Sequence, residues 1–101
     1  MESVAIRRTL SYMSVRTLSK TRLAHEQAAF LMLLREIRQE AGLRQRDLAE
    51  RIGLPQSFVS KCESGERRLD IVELRALCAA LGVSLSDFVD RLEKKIATSV
   101  S

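Results

Sequence analysis

The chain has 101 residues, of which 46% are hydrophobic, 4% are aromatic and one is a proline, so it is sized for a single domain with a modest aliphatic core and favours helices. A formal charge of +4 and a sequence pI near 9.6 suit a polyanionic partner. There is no membrane-length apolar run, no secretory signal segment, no paired nucleophile and base, no glycine-rich phosphate loop and no metal-ligand spacing among two cysteines and one histidine, which argues against a membrane protein, an enzyme or a cofactor-dependent protein.

Charge is unevenly spread. Residues 1–20 carry Arg7, Arg8, Arg16 and Lys20 against Glu2; residues 35–68 hold eight basic and six acidic side chains; residues 69–90 have Arg75 against Asp70, Glu73, Asp87 and Asp90. The chain divides into a basic, Ser/Thr-rich extension over 1–20, a folded unit over 21–96 and a short tail over 97–101. Within the extension Ile6, Leu10 and Met13 have helical spacing, while Val4, Ile6, Leu10 and Tyr12 share one face of a strand, so periodicity leaves its conformation open. Three readings compete for it: a mobile extension or the product of an early-assigned start codon upstream of Met13, a basic arm that follows a DNA backbone or enters a groove, or an arm that pairs with a second copy.

A helix is predicted from about Thr21 to Ala41, with Leu23, Phe30, Leu33, Leu34, Ile37 and Ala41 along one stripe and Gly42 as its stop. His25 reads as a solvated residue near its start. Arg35 and Arg38 read as solvated charges beside Glu36 and Glu40. Two short helices follow, Gln45 to Ile52 and Gln56 to Ser64, joined by a tight turn at Gly53. Leu48, Ala49 and Ile52 on the first, and Val59 and Cys62 on the second, face a shared core. The outward face of the second carries Gln56, Ser57, Ser60 and Lys61, polar groups without a carboxylate, which suits reading base edges in a DNA major groove wide enough to admit a helix. Phe58 either touches a thymine methyl or folds back on the preceding helix. Asp70 and Glu73 form a capping signature ahead of a fourth helix with Ile71, Leu74, Leu77, Cys78 and Leu81 inward and a stop at Gly82. Ser84 and Asp87 repeat the signature before a fifth helix over Leu85 to Ile96. There Leu85, Val89, Leu92 and Ile96 recur at spacings of four, three and four, and the surplus, chiefly Val89 and Ile96, nominates Val89, Leu92 and Ile96 for a homodimer contact, with packing against the amino-terminal segment as the alternative. Cys62 and Cys78 fall at apolar helix positions and read as buried free thiols.

Three spaced segments, AGLRQRDLAERIG, PQSFVSKCESGERRLD and LCAALGVSLSDF, together resemble the Xre-type family, the Cro and phage-repressor-like helix-turn-helix regulators, over roughly Phe30 to Leu92. The resemblance implies an all-α, compact five-helix, lambda-repressor-like DNA-binding domain. It implies a cytoplasmic, bacterial or phage-encoded transcriptional regulator, most naturally a repressor, that binds double-stranded DNA at a palindromic operator as a homodimer. An interaction module that neutralises a toxin partner is the alternative on the same fold. Roles carry over residue by residue. Gln56, Ser57 and Lys61 are expected to contact bases. Gln45, Arg44, Ser60, Arg67 and Arg68 are expected to contact the sugar-phosphate backbone, and Glu63 to pair with basic groups inside the fold. Two positions depart from the family pattern. Arg44 stands in place of a capping Thr or Ser, leaving its helix weakly capped unless Gln45 or Asp47 compensates, and Pro55 stands in place of a capping Ser, a mild change because proline suits a helix start.

Overall fold

In the computed structural model, which describes residues 19–100, Ser19 opens the fold by accepting the Arg22 N–H at 3.0 Å on its hydroxyl oxygen. That cap starts α1, Lys20–Glu40, one residue earlier than the sequence pattern indicated. Of the segment read as an extension over residues 1–20, Ser19 and Lys20 belong to this helix start, and residues 1–18 lie outside the described residues. Four helices follow: α2 (Gln45–Ile52), α3 (Gln56–Ser64), α4 (Ile71–Leu81) and α5 (Leu85–Val100), and there is no strand among the described residues. The architecture is therefore the all-α, five-helix arrangement expected.

Each helix buries the face its apolar spacing selects. Leu33, Leu34 and Ile37 of α1, Leu48 and Ala49 of α2, Val59 and Cys62 of α3, Leu74, Leu77, Cys78 and Leu81 of α4 and Phe88 of α5 are all buried. Burying one such leucine contributes about 1.5–3 kcal/mol relative to leaving it in water. Phe88 is fully buried and meets Phe30 edge-on, with centroids 5.7 Å apart and planes at 70°, the geometry that sets a ring's positive rim against its neighbour's negative face. The stripes thin out at their ends. Leu23 is exposed on α1, and Ile71, on the inward face by periodicity, is exposed at the first position of α4.

Helix α1 packs against α5 on one side and α3 on the other, while α2 nestles against α3 and α4, and α4 against α5. Salt bridges lash α5 to α1: Arg91 reaches Glu40 at 2.8 and 2.9 Å, and Lys95 reaches Glu36 at 2.9 and 3.1 Å. Glu36 and Glu40 thus pair across the bundle and not with arginines of their own helix. α5 also continues to Val100, four residues past the expected end at Ile96, because no glycine or proline interrupts it.

Glycine at Gly65 is required by its backbone, and its missing side chain also leaves room for a neighbour. Its φ of +86° disfavours any Cβ, and a Cβ there would sit 3.0 Å from the Leu31 Cδ1. Both cysteines are free and buried, as read from the sequence, and burial pushes both thiols above their usual range. No helix of the described residues is long and apolar enough to cross a membrane.

Candidate nucleic-acid interface

The helix expected to read bases is held from beneath by a buried polar cluster. Glu63, in the last turn of α3, is 2% exposed, a burial that strongly disfavours a carboxylate unless it is paired. Arg38 supplies the pairing: its Nε donates to Oε2 at 2.6 Å and its Nη2 to Oε1 at 3.0 Å, while Nη1 donates to the Leu43 carbonyl at 2.8 Å. Arg35 adds a longer contact at 3.7 Å. The expectation that Glu63 has an internal structural role is met, whereas the reading of Arg38 as a solvated charge is overturned. Its partner lies 25 residues away in sequence, so α1 charge spacing gave no sign of it. Arg35 keeps about half its side chain in solvent yet also turns toward Glu63 and not only toward its own helix.

The same carboxylate reaches Gln45. The Gln45 amide N–H donates to Glu63 Oε1 at 3.1 Å. Glu63 therefore joins α1, α2 and α3 at one point, and places Gln45 at the lip of a depression lined by Arg38, Arg44, Gln45, Arg46 and Gln56. Arg46 was not singled out from the sequence; its neighbour Gln45 was the available signal.

The departure at Arg44 is resolved locally. A guanidinium has no acceptor to offer the helix N–H groups, and Arg44 makes no side-chain cap. Asp47 compensates by accepting the Arg44 backbone N–H at 2.8 Å and the guanidinium at 3.0 and 3.2 Å. These bonds from Arg44 hold the Asp47 carboxyl below the usual carboxylate range, and the Asp47 partner raises Arg44 in turn. Arg44 stays largely exposed beside Gln45, its charge offset by Asp47. At the second departure, Pro55 is the N-cap of α3 with φ −63° and no side-chain cap, and its carbonyl accepts the Phe58 N–H at 3.0 Å.

From there α3 presents two faces. Val59, Cys62 and Glu63 are buried, while Gln56, Ser57, Ser60 and Lys61 are all exposed. Phe58 is half-buried, packs against the core and carries the Arg67 guanidinium 4.5 Å above its ring, so it folds inward. After Gly65 the loop turns back, with the Arg67 N–H donating to the Lys61 carbonyl at 3.1 Å. Arg67 is not a free loop cation. It grips Glu73 at 3.1 and 2.6 Å and donates to the Arg68 carbonyl at 3.1 Å. Bonding to Arg67, and to the Asp70 N–H, holds the Glu73 carboxyl below its usual range. Arg68 is exposed. On α5 Val89 is 40% exposed, while Leu92 and Ile96 are half-buried, Leu92 against the core.

An exposed polar face on a short helix, braced by a preceding helix across a tight glycine turn, is the geometry of a helix-turn-helix reader. The sequence matches the helix-turn-helix family over residues 34–88, more than half of the chain. The chain belongs to the Xre-type helix-turn-helix family of transcriptional regulators.

Among its relatives, control protein C.MunI from Mycoplasma sp is 33% identical over 63 residues, covering 61% of this chain and 85% of C.MunI. An XRE-family like protein from Pseudomonas syringae pv. tomato str. DC3000 has a solved structure that superposes with a TM-score of 0.70 at 44% identity, covering 74% of this chain and 92% of that one. The restriction-modification controller protein C.Esp1396I, solved as a tetramer in complex with its natural 35 base-pair operator, aligns with a TM-score of 0.66 at 30% identity over 71% of this chain and 95% of its own.

Proposed function

We propose that this Xre-type protein is a sequence-specific, double-stranded DNA-binding regulator that represses by occupying a palindromic operator, without chemistry of its own. The observation that carries the reading is the exposure of Gln56, Ser57, Ser60 and Lys61 on α3 above a buried and fully paired Glu63. Neutralising that carboxylate below the helix removes the repulsion it would otherwise direct at phosphate.

Gln56 opens the recognition helix, and its amide offers one donor and one acceptor, the pair that matches adenine N6 and N7. Ser57 and Lys61 read or hydrate neighbouring edges. Gln45, oriented by Glu63, has its remaining amide groups for a phosphate, and Arg44, Ser60, Arg67 and Arg68 flank the groove to set register. One module of this size contacts too few base pairs for a unique site. A homodimer through Val89, Leu92 and Ile96 of α5 doubles the readout at half-sites about 34 Å apart.

Selecting bound sites from a random duplex pool tests this reading, and recovery of a two-fold symmetric motif is the expected result. A flat pool would reject sequence-specific readout. Gln56→Ala should then cost about 1–3 kcal/mol at one base pair of each half-site and relax preference there. An equal loss on every sequence would remove Gln56 from the base-reading set. Arg68→Ala should instead weaken all sequences alike and reduce the slope of log affinity against log salt by about 0.9, the mark of one phosphate contact; an unchanged slope rules that contact out.

A further inference from the structure

Arg67 and Glu73 form an arrangement that a simple phosphate clamp does not require. The guanidinium is stacked over Phe58 of the recognition helix and doubly bonded to a carboxylate on the next helix, in a pair where both side chains remain partly exposed, Arg67 at 40% and Glu73 at 31%. Glu73 is not needed there merely to neutralise a buried charge. It is already employed in the α4 cap, where its carboxylate accepts the Asp70 N–H at 3.0 Å while the Asp70 carboxylate accepts the Glu73 N–H at 2.7 Å. A carboxylate anchored in this way cannot follow Arg67 if the arginine swings toward DNA. Pairs this open to solvent are weak enough for a phosphate to displace.

We propose that Glu73 is a specificity-determining residue: it competes with phosphate for the Arg67 guanidinium, withholding that cation from DNA on which the recognition helix is not fully seated. The inference rests on the DNA-binding reading above. Loosely bound, non-cognate DNA gains its affinity from phosphate contacts alone, so a cation held by an internal partner is subtracted mostly from that mode. When α3 is seated in a groove, Phe58 and the loop are carried to the backbone with it, and a phosphate held at fixed short range outcompetes the anchored carboxylate. The carboxylate therefore acts as a repulsive and competing element against wrong partners, which widens the gap between cognate and non-cognate DNA.

The test compares the wild type with Glu73→Gln on the selected operator and on a random-sequence duplex of equal length, across a salt series. Glutamine retains an acceptor oxygen for the Asp70 N–H, and a circular dichroism melt monitors the fold. On random duplex the variant is expected to bind several-fold tighter with a salt slope steeper by up to about 0.9, and the ratio of operator to random affinity should fall several-fold. Unchanged random-duplex affinity and slope would overturn the proposal. Glu73→Gln combined with Arg67→Ala should lose the gain; a gain that survives without Arg67 would also overturn it, since it would then reflect only the deleted charge. A wild-type protein that selects no sequence defeats the regulator reading, while the random-duplex comparison still decides the competition between Glu73 and phosphate.

Discussion

Arg38→Ala is expected to destabilise the domain by about 3–5 kcal/mol, the range for removing one partner of a buried ion pair. The variant leaves Glu63, with a side chain 1% exposed, without its two shortest bonds, and it frees the Leu43 carbonyl that closes the turn into α2. Arg35 stands 3.7 Å from the same carboxylate and supplies part of the lost charge, which places the expected value nearer the lower bound. Urea unfolding with an unchanged slope checks it, and a loss below about 1 kcal/mol would show that the pair does not hold α1 to α3. Replacing both partners, Arg38→Met with Glu63→Leu, separates stability from function. Packed apolar substitutes for a buried pair are often neutral, so stability should recover. Gln45 would nevertheless lose the acceptor that aims its amide, and operator affinity should stay reduced.

Phe88→Ala is expected to cost a comparable amount, about 3–5 kcal/mol, because it empties a fully buried ring position. The loss also removes the edge-on contact with Phe30 and loosens α5 from α1, while the exposed polar side chains lie on α3, which is neither of these helices. With total stabilities of small domains at about 5–15 kcal/mol, such a variant is marginal at ambient temperature. Thermal unfolding reads the effect directly, and Phe88→Leu should recover more than half of it, since it refills most of the volume. Equal losses for the two substitutions would mean that ring geometry, not occupied space, is what the site requires.

How much of this was legible in the chain depended on the range of the interaction. Helices α2, α3 and α4 followed from local signals: apolar residues one turn apart, left-handed glycines at Gly53, Gly65 and Gly82, and the Asp70 and Glu73 capping pair, each acting within about four residues. The rescue of α2 by Asp47 was foreseeable for the same reason. The polar face of α3 was legible because its alternative, burial of Gln56 or Lys61, would have left amide and ammonium groups unsatisfied. What periodicity could not carry was pairing between distant charges. Arg38 with Glu63, Arg91 with Glu40 and Lys95 with Glu36 are separated by 25, 51 and 59 residues. Glu36 and Glu40 also had nearer basic neighbours, Arg35 and Arg38, on their own helix. Arg67 was misleading in a related way: basic residues in a loop read as available cations, and only the fold brings Glu73 and Phe58 to meet one of them.

Helix α1 touches both α3 and α5, and the Glu36 and Glu40 bridges brace it to the latter. In the proposed homodimer it is therefore a strut between the helix assigned to the bases and the α5 face assigned to the second copy. Braced in this way, that proposed pair would be a caliper with one opening. Each base pair inserted between half-sites rotates one of them by about 34° around the duplex axis, and a caliper with no hinge has no means of following that rotation.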